Sequence, residues 1–267
     1  MGKRVRGLLH VHSNFSRDGV CSVRDLAEFA RTRGYRFVGL TDHAEDLLRG
    51  DMRRLEGECE AQSDARLIVM PGLEFRCDEG VHILGIGMTE DVRSRNAVTV
   101  AGRIRACGGL AILAHPGLNG HQCHAALAGV LNGVEVWNAG YDGRFVPPIE
   151  SLRLLDDIRQ RNPAVAGFGG ADLHSFDRPA GVAVELRTED RAKVDIRVIL
   201  HHLRSGRFRV RGRYLVFDAY PSCGWPTRGW LWVLRKLYEV SRAARDVAVG
   251  ERGSGGWRGR KNGTSAY

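Results

Sequence analysis

Six histidines, two aspartates and one glutamate stand out in this 267-residue chain by where they fall. His10 and His12 close a short apolar run, Gly7-Leu-Leu-His-Val-His12. One residue apart in extended backbone, their imidazoles point to one side, near enough for a divalent cation to be gripped by both. Asp18 follows in a loop, before Gly19. Asp42 and His43 end a second apolar run, and Glu74 comes just after a third. His82 lies in a fourth, His115 ends a fifth, and Asp172 and His174 follow a seventh with the same one-residue spacing. A lone imidazole at a strand end is ordinarily a hydrogen-bonded rim residue. The repetition is what carries meaning, because buried imidazoles and carboxylates are costly unless paired or bound to metal. Nine such groups converging without a metal would be an unstable arrangement. Asp42 is set aside as a supporting neighbour.

The elements that must position these groups follow from the apolar pattern. Strands are expected at 7–12, 37–41, 67–70, 81–86, 109–114, 134–137 and 165–169. Helical patterns lie between them, at 22–33, 51–63, 93–107, 125–131 and 148–160. Ser22 is placed as an N-cap and Gly34 as the stop of the first. This alternation predicts a mostly parallel sheet with helices outside it, open or closed into a barrel. Candidate ligands at the ends of parallel strands then sit where α/β barrels carry their active sites.

With the motifs in place the chain resembles a known family. His10-Val-His12-Ser13, Asp18-Gly19, Thr41-Asp42-His43, Pro71-Gly72-Leu73-Glu74, His82-Ile-Leu-Gly85, Ala114-His115-Pro116 and Asp172-Leu-His174-Ser175 are similar, in order, to the motifs of the PHP (polymerase and histidinol phosphatase) superfamily. The resemblance runs from about residue 5 to residue 185. It implies an α/β fold, a distorted (β/α)7 barrel, and a metal-dependent phosphoesterase with two or three divalent ions, Mn, Fe or Zn. Carried over by motif, His10, His12, Glu74 and Asp172 would hold a first ion. Glu74, His82 and His115 would hold a second, with Glu74 bridging, and Asp18, His43 and His174 a third. Asp18 stands where some members carry His. His10, His12, Glu74, Asp172 and His174 are the expected catalytic set.

The residue types agree with this reading. Imidazole and carboxylate donors without Cys suit Zn, Mn or Fe better than Ca or Mg. Such ions lower the pKa of a shared water from ~15.7 towards ~7 and supply a hydroxide that can attack phosphorus. No Ser or Cys nucleophile is needed, so Ser13 and Ser175 are read as turn or supporting groups. Arg144 and Arg178, on the same rim, are candidate partners for the substrate phosphate. Gly167-Phe-Gly-Gly170 opens no nucleotide-binding fingerprint. The expected substrate is a phosphorylated small molecule or nucleotide. The alternatives are a metal hydrolase of a carboxyl ester, carbamate or amide, and a catalytically silent module that binds nucleic acid or a protein partner.

Hydrophobic residues are 43% of the chain and charged residues 27%, as in a globular protein, which argues against wholesale disorder. No apolar run reaches the ~18–20 residues of a membrane span, and a cytoplasmic location is expected. Six scattered cysteines with no CxxC pair read as reduced thiols. The net charge of +9 is uneven: residues 187–267 hold 18 Lys/Arg against 7 Asp/Glu. That basic C-terminal region makes nucleic acid a possible partner. The expected division is a hydrolase domain at 1–212, a C-terminal strand and amphipathic helix at 213–249, and a disordered basic tail at 250–267. Arg207 to Phe217 reads as one half-exposed strand. Arg228 to Val247 reads as a helix with Trp230, Val233, Leu234, Leu237 and Ser241 on its packed face.

Overall fold

The longest strand, β1 (Lys3–Val11), does two jobs along its length. The computed structural model describes residues 3–88, 90, 92–177, 180–188, 194–221 and 229–241. In it the first half of β1 pairs antiparallel with β10 (Ala183–Thr188), from Lys3 opposite Thr188 to Gly7 opposite Val184. Its other edge pairs parallel with β2 (Phe37–Leu40). Past Gly7 the first edge is free of β10, and the segment after β9 (Ala166–Gly170) takes it over. Ala171 N donates to Leu9 O at 2.8 Å, and His12 N to Leu173 O at 2.9 Å.

Seven staves form around this join. β2 continues through Thr41 into β3 (Asp42–His43), and β4 (Ile68–Met70) continues through Pro71 into β5 (Gly72–Arg76). The lower halves pair in one sheet, of order β12 (Val216–Asp218)-β11 (Phe208–Arg211)-β10-β1-β2-β4, and the upper halves in another, β3-β5-β6 (His82–Ile86)-β7 (Leu110–Leu113)-β8 (Gly133–Asn138)-β9. β6, β7 and β8 complete the circuit back to β9. Six staves run one way. β6 runs against both its neighbours, joined to β5 as a hairpin. The closed order is a distorted seven-stave α/β barrel, as the resemblance implied.

The strands divide the apolar residues into two cores. Inside lie Leu9, Phe37, Met70, Leu84, Ile112, Trp137, Phe168 and Val184. Outside, Leu8, Val11, Val38, Val69, Ile83 and Leu113 pack beneath α1 (Val23–Thr32), α2 (Asp51–Gln62), α3 (Ala97–Ala106), α4 (Ala125–Val130) and α6 (Ile149–Arg159). α1 begins as its sequence requires: Ser22 Oγ accepts from Asp25 N at 3.1 Å, while Ser22 N donates to Asp25 Oδ2 at 3.0 Å, a reciprocal cap. Gly34 then ends it at φ +71°. α7 (Ile196–Arg204), capped by Asp195, buries Ile199 and Leu203 in the inner core and so closes the end of the barrel away from the histidines.

Several sequence expectations change. The β5, β10 and α7 segments lie outside the expected elements. Pro71 hides β5, since a residue without an N–H reads as a strand stop while the stave runs on past it. The single strand expected at 207–217 is a hairpin, β11 (Phe208–Arg211) and β12 (Val216–Asp218). It turns at Gly212, where a Cβ would collide with the Trp137 ring. Residues 229–241 are helical, here α8, but the expected packed face is turned outward: Trp230 is 69% and Leu237 63% exposed. The inward residues are Leu231, 4% exposed, and Arg235, whose Nη1 donates at 2.9 Å to the carbonyls of Asp142 and Val146. A guanidinium that satisfies two carbonyls outweighs the apolar stripe in setting this helix's rotation. The tail at 250–267 lies outside the described residues. No described helix is long and apolar enough to cross a membrane. Five cysteines are free thiols, and Cys223 lies outside the described residues.

Candidate metal centre

All nine residues singled out by spacing lie at one end of the barrel. Seven follow strands of the parallel set or stand near their ends, and Glu74 sits in the middle of β5. His82 begins β6, and reaches the same end because that stave runs backwards, with Arg76 opposite His82 in the ladder. At the middle is Glu74, 1% exposed. Its Oε2 is 3.3 Å from His10 Nε2, 3.4 Å from His12 Nε2 and 3.5 Å from His43 Nδ1. Its Oε1 is 2.7 Å from His82 Nδ1 and 2.9 Å from His115 Nε2. Asp172 Oδ1 lies 3.4 Å from His10 Nε2 and 3.7 Å from His12 Nε2. Asp18 Oδ2 lies 3.3 Å from His43 Nε2 and 3.4 Å from His174 Nε2.

Four overlapping groups have donor atoms within 4.8 Å of one another: His10–His12–Glu74, His10–His115–Asp172, Glu74–His82–His115 and His12–Asp18–His43–His174. The first ion's expected set thus divides between two groups that share His10, and His12 also faces the third. The residues fit a cluster of divalent cations. His12 Nε2 and His43 Nδ1 are buried with no hydrogen-bond partner, and both point at the Glu74 carboxylate. Buried orphan nitrogens are costly where nothing engages them.

The backbone is bent to make this arrangement. His10 has φ +61°, His115 +22° and Asp172 +48°, values that side chains with a Cβ rarely adopt and that cost roughly 1–3 kcal/mol each. At His10 the turn coincides with a register shift between Leu8 and Val11. Regular alternation would put Leu8, His10 and His12 on one side. The shift reverses it, so Leu8 and Val11 stay in the outer core while both histidines enter the site. The bulge therefore decides which side the two histidines share, the site and not the outer core.

Residues 9–106 match the family model of the PHP domain. A stretch of 44 residues, 16% of this chain, is 41% identical to the DNA polymerase/3′-5′ exonuclease PolX of Bacillus subtilis (strain 168), and spans 8% of that protein. Two solved structures share the fold. A two-domain protein of Bacteroides vulgatus ATCC 8482, described as containing a predicted PHP-like metal-dependent phosphoesterase, superposes with a TM-score of 0.60 at 17% identity, over 81% of this chain and 67% of that one. PsfC of Pseudomonas syringae PB-5123 superposes at 0.56 and 15% identity, over 90% of this chain and 99% of that one.

The electrostatics of this site are those of a place prepared for positive charge. Burial works to lower the pKa of His10, but the carboxylates of Glu135, Asp172 and Glu74 prevail and hold it well above the usual value. Burial likewise pushes Glu74 and Glu135 upward, and the surrounding imidazoles bring both below the carboxylate range. His12 goes the other way, pressed well below the usual range by burial and then by His10. Carboxylates that hold a proton on one imidazole would favour a cation in its place.

Glu135 is the functional residue that the spacing argument missed. It is fully buried, with Oε1 2.8 Å from His10 Nδ1. Its Oε2 accepts from His115 N at 2.8 Å and from Asn138 Nδ2 at 3.0 Å. A His10 proton given to Glu135 from Nδ1 leaves the Nε2 lone pair directed into the site. The signal was present: a carboxylate inside Val134-Glu-Val-Trp137, where only apolar residues belong. Asp42 is also buried and accepts from Ser13 N at 2.7 Å, Ser13 Oγ at 2.8 Å and Ser16 Oγ at 2.8 Å, so it ties the turn after His12 to the end of β2. Ser13 is spent on that turn, and Ser175 bonds Asp177 at 3.1 Å. Tyr141, on α5 (Ala139–Asp142), lies 4.9 Å ring to ring from His115.

The two candidate substrate arginines fare differently. The Arg144 guanidinium lies 5.1 Å from the Phe145 ring, and among the described residues no hydrogen bond or ion pair joins it to the nine. Arg178 lies outside the described residues.

Proposed function

We propose that this PHP domain is a metal-dependent phosphoesterase that hydrolyses a phosphate monoester or diester. The observation that carries the reading is the Glu74 carboxylate, with five imidazole nitrogens at 2.7–3.5 Å, two of them buried without a hydrogen bond. His10, His12, Glu74 and Asp172 would hold one ion, Glu74, His82 and His115 a second, and Asp18, His43 and His174 a third. Mn, Fe or Zn suits this mixed donor set. When bound, such ions supply hydroxide at neutral pH and charge for the phosphoryl oxygens. The chain's own part is to hold that charge in place. Glu135 fixes the His10 tautomer, Asp42 fixes the turn carrying His12, and the bulge at His10 puts both imidazoles in the site. The substrate reading is a phosphorylated small molecule or nucleotide. The basic C-terminal region and the name of the Bacillus subtilis relative support a nucleic-acid substrate within the same chemistry.

The test is elemental analysis of the purified protein, then a panel of phosphate mono- and diesters with a carboxyl ester alongside. Wild type is expected to hold at least two metal equivalents and to release phosphate, and His10→Ala/His12→Ala to lose both. Metal-loaded wild type that cleaves the carboxyl ester and no phosphate ester would overturn the reading.

A further inference from the structure

A groove of about 850 Å³, outside the nine residues, is lined by Arg17, Glu45, Phe75, Arg76, Arg93 and Arg95 among others. Its position follows from the chain. Arg17 precedes Asp18, Glu45 lies two residues past His43, and Arg76 lies two residues past Glu74 on β5. Alternation along a strand puts Glu74 and Arg76 on one face, and Arg76 stands opposite His82 in the ladder. The groove's lining residues thus stand next to Asp18, His43 and Glu74 in the chain.

Its charge is one-sided: four guanidiniums against the single lining carboxylate of Glu45. Two exposed guanidiniums pair with acids, Arg17 Nε 3.7 Å from half-buried Asp46 and Arg95 Nε 2.8 Å from exposed Asp78. Such exposed pairs are worth little and exchange readily for a better anion. Arg76 is exposed and makes no hydrogen bond or ion pair among the described residues. A guanidinium fork matches phosphate oxygens two at a time. The space is also far larger than one phosphate requires, within the range of whole-ligand sites.

We propose that this groove is a second phosphate subsite, which holds phosphates of the substrate other than the one whose ester is cleaved. The substrate is then multiply phosphorylated, a chain of phosphates reaching from the metal centre along Arg76 and Arg17. This rests on the phosphoesterase reading and narrows it. A strand of nucleic acid and a small polyphosphorylated molecule share that chemistry.

The experiment measures binding without turnover. Manganese-loaded protein is titrated into a fluorescein-labelled five-nucleotide single strand with phosphorothioate linkages and, separately, into a fluorescent ATP analogue with non-hydrolysable phosphorothioate and methylene linkages, at several salt concentrations. Arg17→Gln/Arg76→Gln is expected to weaken binding of at least one probe tenfold or more. For the strand, the slope of log Kd against log salt should fall by about 0.7 for each phosphate that the variant no longer neutralises. Which probe responds identifies the source of the phosphates. A control, Arg66→Gln/Arg197→Gln, removes two exposed arginines elsewhere on the protein. If the first variant binds both probes as wild type does, or the control weakens binding equally, the subsite is refuted. Since neither probe is cleaved, that outcome is separate from failure of the ester panel.

Discussion

Replacing Glu135 by Gln tests whether a buried carboxylate that touches no substrate sets the strength of the metal centre. Three donors converge on it: His10 Nδ1 on Oε1, and His115 N and Asn138 Nδ2 on Oε2. Glutamine brings one acceptor oxygen and one NH2 group, so no orientation serves all three. With the oxygen towards His115 and Asn138, the His10 Nδ1–H meets an amide NH2, and the imidazole must move its proton to Nε2. That atom lies 3.3 Å from Glu74 and 3.4 Å from Asp172, and carrying a proton it cannot bind a cation. With the oxygen towards His10, two buried donors are left without partners, at about 1–3 kcal/mol each. The expected result is a 10–100-fold loss of metal affinity, about 1.4–2.7 kcal/mol. It should come with a melting temperature lower by roughly 2–4 °C per kcal/mol of lost stability. Metal affinity is measured by competition with a chromophoric chelator, and stability by calorimetry of the stripped protein. Gly170→Ala should move both readouts the same way, because a Cβ there falls on Glu135 Oε1. A folded Glu135→Gln protein with wild-type affinity and melting temperature would refute the reasoning.

Glu74→Gln removes the carboxylate that faces five imidazoles, and is expected to lower the metal content by at least one equivalent. Elemental analysis decides it, and unchanged content would remove Glu74 from the site. Asp142 is pushed up to about 6 by burial. Below about pH 3 both its folded and unfolded forms are protonated; as pH rises towards 6 the unfolded chain releases the proton first, and stability falls by about 3 kcal/mol. Asp142→Asn keeps an acceptor for Asn138 N, so its stability relative to wild type should grow by that amount between about pH 3 and pH 7 in urea titrations. A gap that does not change with pH would count against the burial argument. Arg235→Gln cuts the bonds to the carbonyls of Asp142 and Val146. Peptides covering residues 138–147 should then exchange amide hydrogens faster, and unaltered exchange would show that α8 does not secure this loop.

The one-residue spacing of His10–His12 and Asp172–His174, and the fall of His43 and His115 at strand ends, were legible in the sequence because a strand's reach is fixed by its geometry; Glu74, expected just past a strand, lies inside β5. So was the alternation that makes a barrel. Glu135 was readable in principle, as an acid in an apolar strand, yet its partners His10 and Asn138 lie 125 and 3 residues away. No local pattern encodes a meeting over the longer of those separations. The tertiary structure alone decided the rest. It reversed β6, which brings His82 to the same rim, and it turned His10 through positive φ so that Leu8 and His10 face opposite cores. It also rotated α8 so that Arg235 faces inward and Trp230 outward. Each outcome depends on surroundings assembled from distant parts of the chain: a hairpin partner, a neighbouring strand's edge, two free carbonyls. The sequence by itself determined which groups would do chemistry and roughly where along the chain they stand. Packing decided which atoms of those groups meet, because hydrogen bonds and strain are settled over ångströms while residue spacing fixes only order.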